Sequence, residues 1–194
     1  MDANASDALS KAFLADTLRS FRMYKKLGDA AIAQVAADAD LLRQIDPGSN
    51  SIATVVKHIG GNLRSRFTDF LTTDGEKPDR DRDGEFETPQ GDAAPSREEI
   101  LGWWESGFGV ALASIESLQP DDLTRTVYIR REPFLVVEAI NRLVTHLAYH
   151  VGQIVYVARH LAGGQWTTLS IPKGQSKEYG TGSFKDGVVP RRMA

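Results

Sequence analysis

The strongest constraint on this chain is one long apolar stripe near its C-terminal end. Leu135, Val136, Val137, Ile140, Leu143, Val144, Leu147, Val151, Ile154, Val155 and Leu161 recur at helical spacing. Glu132-Pro133 opens the run, because proline suits a first helical turn, and Gly163-Gly164 stops it. A helix of about 30 residues is roughly 45 Å long. Three further helical patterns are available to cover it. Leu9, Phe13, Leu14, Leu18 and Phe21 mark a helix over residues 6–37, interrupted at Gly28, where a kink or a close contact is expected. After the turn chemistry of Asp46-Pro47-Gly48, Ser49 or Asn50 caps a second helix. Ile52, Val55, Val56, Ile59, Leu63, Phe67 and Phe70 form its stripe, and it ends near Leu71. Ser96 and Glu99 form a capping box that starts a third helix, which runs to about Leu118. Four such patterns predict an all-α chain, a four-helix bundle. Its expected domain covers residues 1–172, with the stretch after helix four docked at residues 166–171, followed by a C-terminal tail over 173–194 that frays at its end.

Two connections stand out. Residues 72–95 form a long loop between helices two and three, rich in Gly, Pro, Asp and Arg, with Phe86 as the one large apolar side chain. Its Asp79-Arg80-Asp81-Arg82-Asp83 alternation reads as a solvated, self-neutralising connector. Thr126-Val127-Tyr128-Ile129 is a short extended segment before helix four.

Composition excludes several chemistries. The chain has no cysteine, so thiol nucleophiles, Cys-zinc sites, iron–sulfur ligation and disulfides are ruled out. The net charge of −3 lacks the basic field that nucleic acid requires. No stretch approaches the roughly 20 apolar residues of a membrane span, and the N-terminal ten residues contain no apolar signal region. We expect a cytoplasmic protein that binds neither nucleic acid nor membrane.

The four histidines are His58, His146, His150 and His160. His146 and His150 are four apart on helix four, so they stack one turn above the other and can reach one point in space. The pair faces the bundle interior or its rim. The spacing lacks the glutamate of a metalloprotease H-E-x-x-H motif. His58 sits off the centre of its helix's stripe, an angle that allows a neighbouring helix or solvent. His160, near a helix C-terminus, reads as a surface residue. Asn62 is one turn after His58, Arg142 is one turn before His146, and Tyr149 and Gln153 border the pair. Asp69 and Glu138 are the carboxylates on the right helices, each about two turns or more from the nearest histidine. Trp103, Trp104 and Phe108 on helix three read as packing residues.

Three separated segments carry a family resemblance: Val56-Lys57-His58-Ile59-Gly60-Gly61-Asn62, the stretch from Phe67 to Pro78, and Ala148-Tyr149-His150-Val151-Gly152-Gln153-Ile154. With a histidine on helix two and H-x-x-x-H on helix four, the chain resembles the DinB/YfiT-like superfamily of four-helix bundles over residues 6–172. The resemblance implies that His58, His146 and His150 form a three-histidine site for a divalent metal (zinc, nickel or manganese). It also implies a homodimer, and an activity that uses a small-molecule substrate or a thiol cosubstrate. Three imidazoles leave open positions on an ion, the pattern of a catalytic site. Such an ion activates water for hydrolysis or a small thiol for transfer. The alternative is a non-catalytic, dimeric metal-binding bundle with a structural or sensing role. No catalytic residue beyond the three histidines follows from the resemblance.

Overall fold

A computed structural model describes residues 3–87 and 91–178. Helices α1 (Ala3–Ile32), α2 (Ile52–Phe67), α3 (Arg97–Ser117) and α4 (Val136–Ala162) pack as a bundle, and a two-stranded ribbon, β1 (Thr126–Ile129) and β2 (Glu132–Leu135), precedes α4. α1 and α2 each lie against both α3 and α4, so the order around the bundle is α1–α3–α2–α4. The apolar stripes meet in one core built around Phe21, Ile59, Phe67, Trp104, Phe108, Ile140, Leu147 and Ile154. Among the described residues, no helix is long and apolar enough to cross a membrane.

Small residues set the spacing between α2 and α3. A β-carbon on Gly60 would lie 2.3 Å from the Trp103 carbonyl oxygen, and one on Gly107 would lie 2.7 Å from the Gly60 Cα. The two backbones therefore touch. Gly28 marks a close contact: its missing side chain makes room for the Trp104 ring. Trp104 is buried and donates from Nε1 to Asp29 Oδ1 at 2.6 Å, with Phe108 packed beside it. The aromatic residues of α3 are thus packing residues, as expected.

Helix boundaries differ from the sequence reading for identifiable reasons. α1 stops at Ile32 rather than Ala37. The chain tightens there, and the Val35 carbonyl is taken by Arg97, whose Nε also donates to Asp38. This directs the following turn, Asp38–Leu42, so that Leu41 enters the core. The cap of α2 is Ser51, not Ser49 or Asn50; its side chain accepts from the Thr54 N–H at 3.1 Å. α2 ends at Phe67 rather than Leu71, because Asp69 turns left-handed at φ 49° and its carbonyl accepts from the Thr72 and Thr73 amides. The Ser96–Glu99 capping box is present on α3.

The largest correction concerns Glu132-Pro133. These residues do not open α4. They lie in β2, which pairs antiparallel with β1 through Thr126↔Leu135, Val127↔Phe134, Tyr128↔Pro133 and Ile129↔Glu132. Pairing alternates between hydrogen-bonded and open positions. The two-residue turn closes on Ile129↔Glu132, which leaves Pro133 at an open position where its missing N–H costs nothing. The turn residues Arg130 and Arg131 both have positive φ, 57° and 67°, a conformation costing on the order of 1–2 kcal/mol for each non-glycine residue. The Asp74 carboxylate offsets this strain by accepting both turn amides, at 2.9 and 2.7 Å.

The segment after α4 docks where expected. Thr167 and Gln34 exchange two hydrogen bonds, at 2.6 and 3.0 Å, and Trp166 and Leu169 pack on the core. The expected fraying of the tail's end falls outside the described residues.

Candidate metal centre

α2 and α4 bring three of the four histidines together. His58 is 3% exposed, His150 is 7% exposed and His146 is half-buried between them. The Nε2 atom of His146 lies 3.3 Å from that of His58 and 3.1 Å from that of His150. Candidate ligand atoms of all three lie within 4.8 Å of one another. Two imidazole nitrogens held at about 2.0–2.1 Å from a zinc-sized ion in tetrahedral geometry stand roughly 3.3–3.4 Å apart. The spacing therefore fits a shared metal ion, and the three histidines could hold one. His160 is exposed on the last turn of α4, away from this group.

The rings are held in a ligand-competent state from behind. His58 Nδ1 lies 2.8 Å from Glu85 Oε2. A carboxylate only accepts, so Nδ1 carries the proton and, in the neutral ring, the Nε2 lone pair faces the centre. His150 Nδ1 donates to Gln153 Oε1 at 2.7 Å, with the same result. The Gln153 amide is itself oriented by donating to the Tyr149 hydroxyl at 3.2 Å. His146 is kept neutral by burial, reinforced by the neighbouring His150, His58, Arg80 and Arg66; its pKa is pushed down to about 3. Burial also lowers the pKa of His150, with the Gln153 hydrogen bond opposing and His58 adding to the shift.

Glu85 is the main residue that the sequence reading missed. It comes from the 72–95 loop, which is therefore not a solvated connector. Glu85 is 6% exposed. Burial opposes its charge, but the hydrogen bond to His58 and the Arg80 guanidinium outweigh burial and hold its pKa below the usual carboxylate value. Arg80 grips both carboxylate oxygens, Nε to Oε1 and Nη2 to Oε2, each at 2.8 Å. Its side chain is 4% exposed, so the reading of the Asp-Arg alternation as solvated fails at Arg80 and holds for Asp79, Asp81, Arg82 and Asp83, which are exposed. The ionic chain continues outward. Glu76 accepts from Arg66, Arg80 and Arg130, linking the loop to α2 and to the ribbon turn. Room for Glu85 comes from Gly61, where a β-carbon would lie 2.2 Å from Glu85 Oε1. A glycine three positions after a candidate ligand, in a helix interior, is the one sequence signal that could have pointed to an inserted side chain.

Of the residues expected to border the site, Gln153 and Tyr149 form the bracket behind His150, and Asn62 and Arg142 line the cavity in front. Asp69 and Glu138 serve elsewhere. Asp69 turns the end of α2, and Glu138 accepts from the Leu135 N–H at the start of α4. The cavity has a volume of about 630 Å³ and reaches His58 and His146. Such a volume suits a small molecule.

No curated protein matches the sequence. A family model described as a protein of unknown function, DUF1572, matches residues 8–175 and so takes in all three inner histidines, the Glu85 loop and the ribbon. On a match of that extent, the chain belongs to the DUF1572 family.

Proposed function

We propose that this protein is a divalent-metal-dependent enzyme of the DinB/YfiT-like type, acting on a small molecule by hydrolysis or by transfer of a small-molecule thiol. The observation that carries the reading is the convergence of three imidazole Nε2 atoms, 3.1 and 3.3 Å apart, at the end of a cavity of about 630 Å³. A bound ion supplies Lewis acidity toward the cavity. His58, His146 and His150 hold it. Glu85 and Gln153 fix two of the ring tautomers and orient the rings. No fourth carboxylate or imidazole joins the group among the described residues, which leaves positions for a ligand, as a catalytic centre requires. The protein itself has no thiol, so a thiol in the reaction comes from a cosubstrate.

One observation favours a second reading, a non-catalytic metal-binding bundle. Glu85, the carboxylate in contact with a histidine, is committed to Arg80 and is a poor general base.

The test is metal analysis of protein purified without added metal or a metal-affinity column, for wild type and His146→Ala. About one equivalent in wild type, lost in the variant, is the expected result. Hydrolytic and thiol-transfer assays with that metal then separate enzyme from bundle. Wild type that neither carries nor takes up metal would overturn the proposal.

A further inference from the structure

The cavity that reaches His58 and His146 is arginine-rich. Arg66, Arg80, Arg82, Arg130 and Arg142 all line it, against one acid, Glu132. Three of these arginines share two carboxylates: Arg66, Arg80 and Arg130 use Glu76 and Glu85. The other two are held differently. The Arg142 guanidinium lies 5.9 Å from the centre of the Phe134 ring and has no carboxylate partner among the described residues. The Arg82 guanidinium lies 5.6 Å from the centre of the Phe86 ring, and its one acidic partner among the described residues is the exposed Asp83 at 3.7 Å. Phe86 in turn packs tilted against His58, ring centres 4.7 Å apart. An aromatic ring positions a guanidinium without occupying its N–H donors. Each of these arginines lines the cavity from an exposed position, with N–H donors that no buried carboxylate takes.

From these features we infer that the cavity binds a small oxyanion, a carboxylate or phosphate, whose charged oxygens meet Arg82 and Arg142. Guanidinium groups match such oxygens in a bidentate manner. The anion's role as substrate of the centre rests on the metal-dependent reading above; its contacts with the arginines do not.

The test is titration of the full chain, with metal content measured on each sample, using glycolate, acetate and inorganic phosphate. Binding is followed by nuclear magnetic resonance of backbone amides and arginine Nε–H groups. Saturable binding is expected, with the Arg82 and Arg142 side-chain signals among those that shift. Glycolate ahead of phosphate identifies a carboxylate ligand, and the reverse order a phosphate. Arg82→Gln/Arg142→Gln should weaken binding at least tenfold, while Arg159→Gln, on an exposed position outside the cavity, leaves it unchanged. Circular dichroism checks that each variant folds. Equal affinity in the double arginine variant, or no saturable binding, overturns the inference. Loss of anion binding with metal retained breaks only this inference. Anion binding in protein that takes up no metal breaks only the metal-dependent reading.

Discussion

His58 and His150 are both fixed through Nδ1, yet by opposite means. The support of His150 is local and neutral: Gln153 is one turn away on the same helix, steadied by Tyr149. The support of His58 is remote and ionic. Glu85 lies 27 residues on, in a loop, and is buried together with Arg80. A helix positions a neighbour at i+3 by its own geometry. A carboxylate on a loop is positioned only if the whole loop is held, and here the Glu76 and Asp74 networks do that. The first support depends on secondary structure and the second on tertiary structure, so they should fail differently.

Glu85→Ala should produce the largest effect. It leaves Arg80 buried without its principal partner, a change that costs about 3–5 kcal/mol when a buried pair is broken. Urea denaturation measures the loss. Glu85→Gln, which keeps an acceptor for His58, should cost less, and an equal loss in both variants would show that the charge on Glu85 is what matters. Gln153→Ala should lower metal affinity by roughly 10-fold to 100-fold, with less than about 1 kcal/mol of stability lost at this half-buried position. Competition with a chelator of known affinity reads the first quantity. A stability loss like that of Glu85→Ala would erase the contrast between the two supports.

Acid should also separate the two sides. Burial tends to raise the pKa of Asp74, but hydrogen bonds from the Glu76, Arg131 and Arg130 amides outweigh it and lower the pKa from 3.8. The carboxylate's contribution is therefore present above pH 3.8 and is lost as pH falls through the lower folded value. Amide exchange at Arg130 and Arg131 should accelerate in that window, while the amides of α4 around Gln153 stay protected. The smallest effect is expected of Tyr149→Phe, which removes only the hydroxyl that orients Gln153. Metal affinity should change severalfold at most, because that tyrosine is exposed.

The same contrast explains what the sequence revealed. The H-x-x-x-H pair, with Gln153 beside it, was legible because helical periodicity maps number onto direction, whereas the hydrogen bond from His150 to Gln153 was not. The four helices were legible for the same reason, from their stripes. Glu85 was not, since nothing in Asp79-Arg80-Asp81-Arg82-Asp83-Gly84-Glu85 is periodic and its partner is set by the path of the chain. The ribbon was missed because its turn is Arg130-Arg131 rather than the Asn-Gly or Asp-Gly that marks a two-residue hairpin. Its left-handed residues are stabilised from outside, by Asp74. Pro133, read as a helix opener, sits where a strand tolerates it.

The touching backbones at Gly60 and Gly107 have a consequence for indexing along the helix axis. Sliding α2 by one turn, about 5.4 Å, would carry Asn62 to the level now held by His58. The apolar stripe would still meet the core, so hydrophobic packing alone discriminates weakly between the two placements. The paired glycines act as a detent: at one setting the backbones nest, and at the neighbouring settings a side chain stands in the way. An alanine at either position would put a β-carbon within 3 Å of the facing backbone, forcing α2 and α3 apart and loosening both the bundle and the level at which His58 meets α4.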